Sequence, residues 1–250
     1  MNIILAVALC VGQYNVYLPS VGVPAPQKGV GMPWWYRDCA DAQAVGATWQ
    51  YDWSVDPLTC EGIESVPMFY NSTTGNPKPS RWLLTFNEPD LTGQANLSPQ
   101  AAAKMYYELT QRYPDRFLVA PAPSDLNPQW LTEWYNEYVN LYGTPPRMDA
   151  LAVHCYLGTA SRCAELTNWY LSLADKWQVG EVWITEFAFC GVTATAEMSQ
   201  YIDWLQQQNK ISRYSWFATH YNDGEAWQWQ CNTSLLNNGL TTLGIVYKSR

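Results

Sequence analysis

The stretch EVWITEF (181–187) is the most informative in the chain. Its middle is β-branched, aromatic and apolar, as in a strand covered on both faces, yet Glu186 stands at its end. An acid there costs free energy unless it opens onto a polar cleft or meets a buried partner. Outward from it, DALAVHCY (149–156) precedes and RYSWFA (213–218) follows as further apolar runs. Five more lie upstream: GVGM (29–32), ATWQY (47–51), SVPMFY (65–70), WLLTF (82–86) and FLVAPA (117–122).

Helix signals fill the later intervals. Ser98 reads as the N-cap of SPQAAAKMYYELTQRY (98–113), with Pro99 at the first helical position. NPQWLTEWYNEYVNLYG closes on Gly143, a residue suited to a C-cap. Segments 161–179, 194–208 and 235–248 read as three more helices. Eight strand units in this alternation predict an α/β protein, a single compact (β/α)8 TIM barrel. The intervals after the second and third strands are too short for full helices, so the barrel is expected to be reduced there. No glycine-rich phosphate turn follows the first strand, which argues against a dinucleotide-binding sheet.

Composition narrows the partners. Of 250 residues, 48% are hydrophobic and 14% charged, the balance of an ordered globular chain. There are 14 Trp and 17 Tyr against 6 Phe, an excess that fills a core and also suits a sugar-binding cleft. A net charge of −8 and the lack of any Lys/Arg run exclude nucleic acid and an anionic membrane surface as expected partners. The apolar run from Ile3 to Val11 is too short to span a bilayer and reads as part of a secretory leader. Residues 1–28 are therefore expected to be leader and extended lead-in, and 29–250 the (β/α)8 domain, secreted and monomeric.

With Cys10 assigned to the leader, six cysteines remain, a number suited to three disulfides. The proximity of the loops expected to carry them favours Cys39–Cys60, Cys155–Cys163 and Cys190–Cys231, although six cysteines leave other connectivities open. Two His and no CxxC argue against a metal site, and no cofactor is expected. Sequons at Asn71, Asn96 and Asn232 all fall in expected loops.

In such a barrel the chemistry sits at the C-terminal ends of the strands. Two carboxylic acids end strongly apolar strands there: Glu88, after Asn87 on the fourth, and Glu186 on the seventh. One such acid is commonly structural. Two, one of them following Asn, point to a catalytic couple in which one carboxylate attacks an anomeric carbon and one acid protonates the leaving oxygen. Retention of configuration needs them roughly 5–5.5 Å apart.

LLTFNEPD (83–90) and VWITEFA (182–188) resemble the paired signatures of glycoside hydrolase family 128. VPMFY (66–70) is similar to that family's third strand and GLTTLGIVY (239–247) to its closing helix. The resemblance thus runs over residues 29–248. It implies an endo-acting, retaining β-1,3-glucanase that needs no cofactor. Glu186 would be the nucleophile, Glu88 the acid and then the base, and Asn87 the partner of the sugar 2-hydroxyl.

His154 and Tyr156 would contact the nucleophile or the sugar, with Cys155 between them where the family often has an aromatic residue. Trp216 would be the stacking platform under the sugar, and Trp34, Trp35, Trp53, Tyr70 and Trp227 would line neighbouring subsites. Asp52 and Asp90 read as capping or turn acids. Pairing His154 with Cys155 as a nucleophilic couple is excluded, because neighbours on a strand face opposite ways. The competing readings are hydrolysis of another β-glycan (mannan, xylan or mixed-linkage glucan) and a non-catalytic β-glucan-binding or cell-wall recognition protein on the same fold.

Overall fold

The structure is a computed structural model that describes residues 25–221 and 231–250. Among these residues nine strands and six helices follow one another as β1 (Gln27–Gly31), α1 (Cys39–Ala44), β2 (Trp49–Tyr51), β3 (Glu64–Ser65), β4 (Met68–Phe69), β5 (Trp82–Thr85), α2 (Pro99–Arg112), β6 (Phe117–Leu118), α3 (Trp130–Tyr142), β7 (Ala150–Cys155), α4 (Ala160–Trp177), β8 (Glu181–Phe187), α5 (Ala194–Leu205), β9 (Ile211–Trp216) and α6 (Thr242–Ser249). All eight expected strands are present. The third is split at Pro67, which has no N–H for a ladder, so its halves are β3 and β4.

Every ladder between named strands is parallel. One sheet runs β3-β2-β1-β9-β8-β7 and the other β4-β5-β6. They meet at two seams. At one, the chain passes through Pro67 from β3, paired with β2, to β4, paired with β5. At the other, Val119 bridges Ala150, and the Ala120 N–H donates to the Ala150 carbonyl at 2.9 Å. The result is the expected α/β barrel architecture.

Strand alternation sorts the apolar side chains into two layers. Trp49, Tyr51, Met68, Trp82, Leu84, Ala152 and Trp183 form one cluster inside the strands. Their neighbours Leu83, Leu151, Val153, Val182 and Ile184 pack outward in the other, against Tyr106, Trp134, Tyr170 and Tyr201 of the helices. The large inner rings require a small residue opposite. A Cβ on Gly29 would lie 2.3 Å from the Trp49 ring, and one on Gly31 2.8 Å from that of Trp53.

The helix signals hold with two adjustments. Ser98 accepts from the Ala101 N–H, and Gly143 ends α3 at φ 70°. The last helix, expected over 235–248, starts only at Thr242, because Leu235 to Leu240 form a turn closed by the Leu236–Leu240 bridge. The short helix α1, held by Asp38 accepting from the Ala40 N–H, was not expected. No helix among the described residues lies between β2 and β5, matching the reduced barrel expected there.

All three favoured disulfides are formed: Cys39–Cys60, Cys155–Cys163 and Cys190–Cys231. Cys155 faces the outer layer while His154, one residue earlier, turns to the barrel mouth. Among the described residues no helix is long and apolar enough to cross a membrane. The expected leader falls almost wholly on residues outside those described.

Candidate active site

Glu186 reaches the barrel mouth because β8 carries an extra residue. Trp183 packs inside the barrel while Ile184 and Phe187 pack outside, so two residues, not one, lie between the outward pair. The registers show the same insertion. Ile184 pairs with Val153 and Tyr214, Phe187 with Cys155 and Trp216, and Thr185 and Glu186 together face single residues on each side. Strict alternation would aim Glu186 at the helices. The bulge turns it inward, opposite His154.

Glu88 stands on a backbone at φ 41°, a left-handed conformation that a non-glycine residue rarely adopts. Its N–H donates to the Ala122 carbonyl at 2.8 Å and its carbonyl accepts from Leu91 at 3.0 Å, which hold the turn. Trp53, across the mouth, has φ 59°. The side chains of Glu88 and Glu186 are nearly closed to solvent, at 8% and 5% exposure.

The two acids are held differently. Glu186 is met by three donors: Trp53 Nε1 at 2.9 Å on Oε1, the Tyr156 hydroxyl at 2.5 Å on Oε2, and the Tyr51 hydroxyl at 3.1 Å from Oε1, whose one proton is shared with the Thr185 carbonyl at 2.8 Å. Glu88 Oε1 meets His154 Nδ1 at 3.1 Å, and the same nitrogen lies 3.5 Å from Glu186 Oε2. Burial pushes the Glu88 carboxyl above its usual range. His154 opposes that shift, while the charges of Glu186 and Asp90 add to it.

Burial works against a charged His154 ring. The Glu186 charge, the hydrogen bond to Glu88 and the charges of Glu88 and Asp125 outweigh it, and the imidazole is raised to about 8. Burial and then the Glu186 charge hold the Tyr51 and Tyr156 phenols protonated far above neutrality. One ligand atom each from Glu88, His154 and Glu186 converges within 4.8 Å, a spacing that would also admit a metal ion. The His154 hydrogen bond already accounts for that convergence.

A raised histidine pKa makes stability pH-dependent. His154 binds its proton more tightly folded than unfolded, so its contribution is complete below its unfolded value and is lost as pH rises through about 8. The thermal midpoint should therefore fall from about pH 6.5 to pH 8.5. That slope should flatten in His154→Gln; an unchanged slope in the variant would assign it to another group.

The carboxylates line a cleft of about 540 Å³. Of the expected contacts, Asn87, Tyr156, Trp34, Trp35, Trp53 and Tyr70 border it, and His154 lies beneath the two acids. Trp34 and Trp35 are 67% and 40% exposed, an aromatic rim on the loop after β1. Trp227 lies outside the described residues.

The expected platform Trp216 is corrected. It is wholly buried, its indole N–H donates to the Thr233 carbonyl at 2.8 Å, and its ring packs on Phe187 in the outer layer. The next residue, Phe217, faces the cleft, its ring edge-on to both Trp53 and Tyr156.

Sequence reasoning missed Phe217, Tyr51 and Gln94. Tyr51 was legible, since it shares the inward parity of Trp49 on β2. Gln94 lies in a loop with no pattern; its Oε1 accepts from the Tyr70 hydroxyl and from Asn87 Nδ2 at 3.3 Å. Asp52 is a turn acid as expected, accepting from Ser54 and the Leu58 N–H and pairing with Arg37 at 3.1 Å.

The profile described as "Glycosyl hydrolase catalytic core" matches residues 30–247. Among solved structures, a curdlan-specific exo-β-1,3-glucanase of glycoside hydrolase family 128 from Blastomyces gilchristii, in complex with glucose, is 25% identical with a TM-score of 0.71. The alignment covers 90% of this chain and 98% of that one. An endo-β-1,3-glucanase of the same family from Amycolatopsis mediterranei, a Glu→Ala variant in complex with laminaripentaose, is 26% identical with a TM-score of 0.71. That match covers 89% of this chain and 98% of the other. The "Alkali-sensitive linkage protein 1" of Schizosaccharomyces pombe is 26% identical over 237 residues, 88% of this chain; the match spans 40% of that relative's length.

Proposed function

This chain belongs to the glycosyl hydrolase catalytic core family, and on that premise we propose that it cleaves β-1,3-glucan internally, with retention of configuration, through Glu186 as nucleophile and Glu88 as acid and base. The observation that carries this reading is the spacing of the two carboxyl groups, whose nearer oxygens lie within 4.8 Å. An inverting enzyme keeps its carboxyls roughly 6.5–9.5 Å apart to admit a water, and a retaining one about 5–5.5 Å. The glucan itself is suggested by what the family 128 relatives bind and cleave.

The division of labour follows from the surroundings. Burial raises the Glu88 carboxyl above its usual range, which favours the protonated form that gives its proton to the glycosidic oxygen as that bond breaks. Glu186, aimed by the Trp53, Tyr51 and Tyr156 donors, attacks the anomeric carbon and forms a glycosyl ester. The leaving chain departs with the Glu88 proton. Glu88, now a carboxylate, takes a proton from water, which attacks the anomeric carbon from the vacated side and frees Glu186. Each bond made is matched by one broken, and the cycle uses water and two carboxyl groups only. Asn87 meets the sugar 2-hydroxyl, a contact that strengthens as charge develops on the ring.

Phe217 takes the place expected for Trp216 on the cleft wall. Trp34 and Trp35 extend the aromatic surface outward for further glucose units, which suits internal cleavage of a polymer. Residues 29–250 act as the catalytic unit, as a monomer. Three disulfides suit an oxidising, extracellular setting.

The test is incubation with laminarin, curdlan, mannan and xylan, with products resolved by size. Mixed oligosaccharides from the β-1,3-glucans alone are expected. Glucose as sole product would replace internal cleavage with exo action, and binding without cleavage would sink the hydrolase reading of this site.

A further inference from the structure

Two aspartates outside the cleft link the loops that carry its chemistry. Asp90, two residues after Glu88, accepts from the Ser124 N–H at 2.8 Å and from the Ser124 hydroxyl. Asp125, the next residue, accepts from the Tyr156 N–H through Oδ2 at 2.5 Å. Tyr156 in turn donates its hydroxyl to Glu186 at 2.5 Å. The path Glu88–Asp90–Ser124–Asp125–Tyr156–Glu186 therefore joins the ends of β5, β6, β7 and β8. Neither Asp90 nor Asp125 lines the cleft.

We propose that Asp125 is a positioning residue for the nucleophile: it sets the Tyr156 hydroxyl on Glu186 and, through Ser124 and Asp90, ties that hydroxyl to the loop bearing Glu88. Tyr156 sits just beyond the last residue of β7, and there its N–H donates to Asp125, a partner outside the strand. Burial raises the Asp125 carboxyl, while the Tyr156 N–H, His154 and Arg162 favour its charged form and Asp90 opposes it. Its charge also acts on His154, alongside those of Glu186 and Glu88.

The proposal rests on Glu186 as nucleophile and is tested by two variants. Asp125→Ala removes the acceptor. Asp125→Asn keeps an oxygen for the Tyr156 N–H and removes only the charge. Displacing a catalytic group by about 1 Å costs up to roughly a hundredfold, so Asp125→Ala should lower kcat by about ten- to a hundredfold with little change in KM. Asp125→Asn should restore kcat to within about threefold while moving the His154 titration, read by NMR of the ring, to lower pH, because His154 loses a neighbouring negative charge.

In a Tyr156→Phe background, which already lacks the hydroxyl, Asp125→Ala should cost almost nothing further, whereas a general loosening of the fold would add its full loss. Crystal structures of both variants supply a readout independent of turnover. The Tyr156 hydroxyl should leave Glu186 in Asp125→Ala and stay in Asp125→Asn. Additive losses in the double variant, or a hydroxyl still on Glu186 in Asp125→Ala, would overturn the proposal. A wild-type protein that cleaves no glucan would overturn only the functional reading above, and the crystal structures would still decide on Asp125.

Discussion

Glu186→Ala should lower glucan hydrolysis by roughly 10⁴-fold or more, a loss of about 5 kcal/mol of transition-state stabilisation. The methyl group cannot form the glycosyl ester, and no neighbouring side chain can replace it. Tyr51, Trp53 and Tyr156, which surround it, bring donors to this point. The small space left by the truncation should admit azide. With an activated glycoside, Glu88 can still assist departure, so azide should yield a glycosyl azide of inverted configuration. Wild-type turnover in this variant would show that the nucleophile is another group.

Glu88→Ala should produce the complementary pattern. Hydrolysis of polymeric glucan should fall by about 10²–10⁴-fold, the usual worth of a general acid–base group. A glycoside with a strongly acidic leaving group needs no proton, so its first step should stay fast while the glycosyl-enzyme accumulates for lack of a base. Rapid quench should show a burst of leaving group, and azide should relieve the slow step with a product of retained configuration. Equal losses on natural and activated substrates, with no burst, would mean that Glu88 serves binding or structure. The variant should also lower the His154 pKa, because a hydrogen bond and a charge that hold it up are gone.

Much of the fold was legible in the chain because the signals are local. The eight apolar runs mark buried parallel strands, and Ser98 and Gly143 mark helix ends through their own capping chemistry. The turn before α6 carried no such mark, since its apolar residues Leu235 and Leu236 resemble a helical face. The short α1 fell below the length at which periodicity can be read.

The site divides along similar lines. Glu88 and Glu186 stood out as acids on apolar strands, an energetic contradiction visible without coordinates. Trp216 and Phe217 could not be told apart, because which of two neighbours faces the mouth depends on register with β8. That register carries the bulge at Thr185 and Glu186. The same bulge was hidden in EVWITEF: strict alternation from Trp183 would have aimed Glu186 away from the cleft. Gln94 and Asp125 act through loops that meet only in three dimensions, and nothing in their sequence neighbourhood announces it.

The central claim is a double displacement between Glu88 and Glu186, and the most direct measurement is the anomeric configuration of the first product. Proton NMR of a laminari-oligosaccharide digest, recorded within minutes of adding enzyme, should show the β-anomer of the new reducing end first. The α-anomer should follow only as mutarotation proceeds. An α-anomer formed first would mean a single displacement by water and would contradict the assignment of Glu186 as nucleophile.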